Sequence, residues 1–144
     1  MNEILEAFVI LSQSTKYYDW LKKHPQEVSL YRIGRAFEYA TMKKLRKHGW
    51  YCVRKFGSKG FEDIVADRHG VGIFCQCKYS RYRDTLPKQF DLSGLIKLAA
   101  KHGALPIFAG VRKHRMYFME YKNHTKFQGT KKLYDKGWQS WKPN

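Results

Sequence analysis

Residues 56 to 78 read Phe-Gly-Ser-Lys-Gly-Phe-Glu-Asp-Ile-Val-Ala-Asp-Arg-His-Gly-Val-Gly-Ile-Phe-Cys-Gln-Cys-Lys, and this stretch decides the fold. Phe61 to Asp67 has an apolar centre, Ile64-Val65-Ala66, that reads as one strand. Arg68-His69-Gly70 turns the chain, and Val71 to Tyr79 reads as a second strand, apolar enough to be central in a sheet. Asp63 stands just ahead of the first apolar centre. Gln76 and Lys78 share one face of the second strand, because strand side chains alternate with period two.

Working outward, Trp50 to Phe56 alternates as a preceding strand, and the Gly57-Ser58-Lys59-Gly60 loop that breaks it is flexible and cationic. Ahead of it the spacing of Ile33, Phe37, Ala40 and Leu45 predicts a helix over Leu30 to His48, stopped by Gly49. An additional N-terminal helix is expected over residues 1 to 23, where Ile4, Leu5, Phe8, Leu11, Tyr18 and Leu21 recur at roughly helical spacing before Pro25. Downstream, a loop with Pro87 leads to a helix capped by Asp91 or Ser93 and ending near His102. Ala104 to Val111 then forms a strand parallel to its neighbour, since a helix makes the crossover, and Met116 to Tyr121 is the last core strand. The tail from Lys122, with Trp138 and Trp141, reads as an ordered tail or a small hairpin. The expectation is an α/β fold: a central mixed five-stranded sheet flanked by helices, with an extra N-terminal helix. A single domain is expected, with a helical extension over residues 1–30, a core over 31–121 and a basic aromatic tail over 122–144.

The chain carries 28 Lys and Arg against 12 Asp and Glu, a formal charge of +16 spread along 144 residues. Nucleic acid is the expected partner, because each cation that neutralises a phosphate releases a condensed counterion. A membrane surface is the rival, but there is no lipidation motif, and the apolar run Ala7 to Leu11 is too short for a signal peptide or a span. A soluble cytoplasmic protein follows as the expectation. Cys52, Cys75 and Cys77 lie in strand-like apolar runs and read as core thiols; a structural zinc site would need a second Cys/His pair.

Glu38 is the only acidic residue of its helix, which also holds Arg32, Arg35, Lys43, Lys44, Arg46 and Lys47. It reads equally as a solvated carboxylate paired to a nearby cation and as a functional group. The functional reading joins it to Asp63, the Gln76 side-chain oxygen and the Cys77 backbone carbonyl as oxygen ligands for magnesium, with Lys78 positioning water. Such a set suits phosphodiester cleavage. The plainer reading leaves Asp63 as a strand cap, Gln76 as a hydrogen-bonding edge residue and Lys78 as one more surface cation.

From Tyr31 to Tyr121 the sequence resembles the archaeal-type Holliday junction resolvases of the PD-(D/E)xK nuclease superfamily. The resemblance lies in Tyr31-Arg32-Ile33-Gly34-Arg35-Ala36-Phe37-Glu38, Lys47-His48-Gly49-Trp50, Val53-Arg54, Gly57-Ser58-Lys59, Asp63-Ile64-Val65-Ala66 and Cys75-Gln76-Cys77-Lys78. Leu95-Ile96, Gly103-Ala104-Leu105-Pro106-Ile107 and Phe118-Met119-Glu120 continue it. It implies a restriction-endonuclease-like core and a homodimeric, magnesium-dependent endonuclease, manganese substituting, that nicks opposed strands of a four-way DNA junction. The setting would be the cytoplasm of an archaeal, bacterial or virus-infected cell. By the same resemblance Glu38, Asp63 and Gln76 are metal ligands, Lys78 the catalytic lysine and Ser58 an assisting serine. Arg32, Arg54 and Lys59 match DNA-contacting positions, and Arg35, Lys55, Arg81 and Arg83 extend that basic set.

Two departures stand out. The family carries Glu where this chain carries Gln76, and a neutral amide is a weaker metal ligand than a carboxylate. Residues 1 to 30 lie outside the resemblance. A restriction- or repair-type nuclease acting on linear or flapped duplex, and a catalytically silent junction-binding protein, are the alternatives.

Overall fold

The first helix, α1, spans Val28–Lys47. Ala36, Phe37, Ala40, Thr41 and Leu45 are at most 1% exposed, so a stripe at helical spacing is buried while the last turn carries Lys44, Arg46 and Lys47 toward the negative end of the helix dipole. Gly49 takes a φ of 87° and turns the chain out of the helix. This computed structural model describes residues 28–55, 62–122 and 137–144, with side chains of α1 described from Arg32 onward. The expected N-terminal helix, the Gly57-Ser58-Lys59 loop and most of the tail lie outside the described residues.

Six strands follow in sequence order across one mixed sheet: β1 (Tyr51–Arg54), β2 (Ile64–Arg68), β3 (Val71–Cys77), β4 (Leu105–Arg112), β5 (Arg115–Tyr121) and β6 (Trp138–Trp141). All neighbours are antiparallel except β3 and β4, which the second helix, α2 (Ser93–His102), joins as a parallel pair. Asp91 Oδ1 accepts hydrogen bonds from the Ser93 N–H and hydroxyl at the start of α2, and Gly103 ends it in the left-handed region at φ 66°. The β2–β3 turn places His69 and Gly70 at positive φ, 52° and 80°, as a two-residue hairpin connection requires.

Among the described residues the sheet has six strands where five were expected. The additional strand comes from the tail: Phe118 pairs with Trp141 and Tyr121 with Trp138, covering the edge that β5 would otherwise leave open. Beyond β6, the Pro143 carbonyl accepts hydrogen bonds from the Trp50 indole at 2.7 Å and from Arg68 at 2.9 Å, so the end of the chain is tied to the start of β1 and the end of β2.

Two hydrophobic layers sandwich the sheet. On one face Phe37, Met42 and Leu45 of α1 pack on Cys52, Ile64, Ala66, Ile73, Cys75, Ile107, Ala109, Val111 and Phe118. On the other, Leu92 and Ile96 pack with Phe108, Tyr121 and Trp138. The alternation along β3 therefore sends Ile73 and Cys75 toward α1, and Phe74, which meets the His102 ring at 5.6 Å, toward α2. All three cysteines are free thiols. Among the described residues no helix is long and apolar enough to cross a membrane.

Candidate active site

Just ahead of β2 the ladder to β3 is completed by a side chain. Asp63 N–H donates to the Cys75 carbonyl at 2.8 Å, and Asp63 Oδ2 accepts from the Cys77 N–H at 2.8 Å. Asp63 thus brackets Gln76 between its own amide and its own carboxylate. The Gln76 Oε1 is buried and has no hydrogen-bond partner among the described residues. A buried carbonyl oxygen without a donor is costly, which makes this atom a natural ligand for something the described residues do not supply.

The electrostatics centre on Asp63. Burial pushes its pKa from 3.8 up to about 6; the Cys77 N–H opposes this, the nearby Glu38 carboxylate adds to it, and Lys78 and Arg54 pull it back down. Charged groups from α1, β1 and the residue after β3 therefore all act on Asp63, just before β2. Glu38 has the cation partner that the plainer reading expected: its Oε2 accepts from Arg54 Nε at 2.6 Å, with 21% of the Glu38 side chain exposed. Burial holds the Cys52 thiol up at about 11 and Cys77 well above its ordinary range, so neither is a thiolate nucleophile near neutral pH.

Lys78 leaves β3 toward the α2 face, where its ammonium lies 5.1 Å from the centroid of the Phe90 ring. Phe90 in turn stacks on Phe108 at 6.1 Å. The Lys78 backbone is latched as well. Thr85 Oγ1 donates to the Lys78 carbonyl and accepts from the Val111 N–H, both at 2.8 Å, and Thr85 N–H returns to the Val111 carbonyl. Gly110 makes room for this latch, since a Cβ there would sit 2.7 Å from the Thr85 hydroxyl.

The other expected site residues divide. Cys77 ends β3, so its backbone stands at the site, and its carbonyl is the oxygen expected to contribute there. Arg32 and Arg35 are half-buried on α1, Lys55 is exposed just after β1, and Arg81 and Arg83 are exposed in the bend after Lys78. Ser58 and Lys59 lie outside the described residues. Sequence reasoning missed Phe90, Thr85 and Glu62. Glu62 is 6% exposed, with one oxygen 3.8 Å from Lys55 Nζ and the other without a partner among the described residues. Its position beside Asp63 was the only available signal.

Among the described residues no group of three or more His, Cys, Asp and Glu side chains could hold a metal ion. The donors at hand are two carboxylates and an amide oxygen. An all-oxygen set with one unsatisfied member suits a hard divalent cation that keeps several of its waters, and it is less charged than a three-carboxylate set.

The archaeal Holliday junction resolvase (Hjc) family matches residues 29–136. The chain belongs to this family. A relative within the Hjc group, the crossover junction endodeoxyribonuclease Hjc of Methanocaldococcus jannaschii, is 33% identical over 79 residues, a match covering 55% of this chain and 59% of that protein's length. Among solved structures, Hjc of Archaeoglobus fulgidus, described as a Holliday junction resolvase from an archaeal hyperthermophile, is similar at 21% identity with a TM-score of 0.48, covering 61% of this chain and 80% of that one. The Hjc match spans α1 through β5 and so includes Glu38, Arg54, Asp63, Gln76 and Lys78.

Proposed function

We propose that this Hjc family protein is an endodeoxyribonuclease that resolves four-way DNA junctions by paired nicks, acting in the cytoplasm as a homodimer with magnesium, or manganese in its place. The observation that carries the reading is the meeting of Glu38, Arg54 and Lys78 around an Asp63 that brackets the unsatisfied Gln76 oxygen. Family membership supplies the substrate class, and the charge of +16 suits a polyanionic partner. A homodimer follows from the need for two cuts.

Asp63, Glu38 and the Gln76 Oε1 would hold the cation, with the Cys77 carbonyl as a further oxygen. When bound, the ion supplies charge at the phosphoryl oxygen and acidifies water. The protein's own groups do the rest. Lys78, steadied over Phe90, orients the attacking water and faces the charge that develops on the phosphoryl group. Asp63 must be ionised to serve as a ligand, so cation binding competes with its proton below about pH 6. Arg32, Arg35, Lys55, Lys59, Arg81 and Arg83 hold phosphates, and Ser58 assists at the substrate. Phosphate contacts orient without selecting; choice of a junction over a duplex comes from how two subunits space their sites.

The test is a labelled four-way junction beside a matched linear duplex, each with magnesium or EDTA, and the oligomeric state measured by sedimentation. Symmetric paired nicks in the junction, made by a dimer and absent in EDTA, are expected. Comparable cutting of the linear duplex would replace this reading with a restriction- or repair-type nuclease. Gln76 favours a second reading, a silent junction-binding protein, because the donor set lacks its third carboxylate. Tight junction binding without product supports that reading, and Gln76→Glu then restores cleavage.

A further inference from the structure

Glu38 is already engaged. Its Oε2 accepts from Arg54 Nε at 2.6 Å, with 21% of the Glu38 side chain and 13% of the Arg54 side chain exposed. The guanidinium also lies over the Tyr39 ring at 5.7 Å, so α1 holds it from two sides. A short, partly desolvated pair of this kind is stronger than an exposed surface ion pair.

The charges that act on Asp63 add a second argument. Glu38 and Asp63 bring two negative charges, and Arg54 and Lys78, which both act on Asp63, bring two positive ones. Gln76 adds none. A divalent cation approaching Asp63 in the DNA-free protein therefore meets two carboxylates balanced by two cations, with one of the carboxylates held by a guanidinium. A DNA phosphate changes both conditions: it adds negative charge, and its paired oxygens match the guanidinium fork.

We infer that Arg54 gates Glu38: it holds the carboxylate while DNA is absent and transfers to a phosphate when DNA docks, so that the divalent cation and DNA load together. The inference rests on the nuclease reading above and assigns Arg54 a positioning role, acting through Glu38. Since coupling between two ligands is reciprocal, DNA raises cation affinity by the same factor by which the cation raises DNA affinity. Cleavage is thereby restricted to cations captured together with substrate.

The experiment measures binding, not turnover. Mn2+ is titrated into the free protein and into the protein with duplex or junction DNA, in the cold, followed by electron paramagnetic resonance with a DNA-only blank subtracted. The wild type, Arg54→Gln and Arg54→Lys are compared, with circular dichroism to check that each is folded. DNA is expected to tighten Mn2+ binding by the wild type about tenfold or more. Free Arg54→Gln should bind Mn2+ about tenfold more tightly than the free wild type, the factor set by losing one charged hydrogen bond, and its gain from DNA should shrink to match. Arg54→Lys, which keeps the charge without the fork, should fall between them. Saturable Mn2+ binding that Arg54→Gln weakens or leaves unchanged overturns the gate and makes Arg54 an orienting partner of Glu38. No saturable Mn2+ binding in any sample overturns the metal-dependent reading itself, and the gate with it.

Discussion

Replacing Asp63 with Asn should stabilise the metal-free protein while removing its chemistry. Burial raises the Asp63 pKa from 3.8 to about 6, so the folded protein prefers the protonated acid and ionisation destabilises the fold. Because the folded value lies above the unfolded one, the favourable contribution is full below about pH 4. It is lost as pH rises through about 6. At roughly 1.4 kcal/mol per pH unit that gap amounts to about 2–3 kcal/mol at pH 8. Asn keeps an oxygen to accept from the Cys77 N–H and has no charge to desolvate. Urea denaturation of both proteins in EDTA, from pH 4 to pH 8, reads the difference. Asp63→Asn should gain about 2–3 kcal/mol on the wild type across that range, most of it between pH 4 and 6. Adding Mn2+ at pH 8 should narrow the gap by stabilising only the wild type. A stability difference that does not change with pH, or one that favours the wild type as pH rises, refutes the burial argument.

Two further outcomes test the supports around the site. Phe90→Leu removes the ring beneath the Lys78 ammonium and should lower the single-turnover cleavage rate by up to about tenfold, the value of a partly desolvated cation–π contact, with junction Kd unchanged and Phe90→Tyr restoring the rate. Trp138→Ala removes the side chain that meets Tyr121 at 5.5 Å and Phe108 at 6.2 Å, and should cost about 3–5 kcal/mol in denaturant titration. A loss below about 1 kcal/mol would mean that β6 does not contribute to the core.

What the amino-acid sequence determined by itself was the order and type of the elements near the site. Ile33, Phe37, Ala40 and Leu45 report helical period, the apolar run from Val71 reports a central strand, and His69-Gly70 and Gly103 sit where the backbone takes positive φ. The helix between β3 and β4 was enough to make that pair parallel. Strand alternation put Gln76 and Lys78 on one face with Asp63 on the neighbouring strand, but that spacing by itself fitted a plain strand cap and a surface cation equally well, and the resemblance over Tyr31 to Tyr121 was what singled these residues out. The sixth strand was not legible: Trp138 and Trp141 are three apart, a spacing that matches neither strand period nor a full helical stripe. Those residues form a strand because β5 offers an open edge and an apolar face, and the chain end is held by Trp50 and Arg68. Only the tertiary structure joined Arg54 to Glu38, put Phe90 under Lys78, latched Thr85 across β3 and β4, and buried Asp63 enough to raise its pKa. Local sequence encodes period, turns and caps, which are properties of a few neighbouring residues. Which cation answers which carboxylate, and how much water each one keeps, depends on elements far apart in the chain, and becomes definite only when the sheet brings them together.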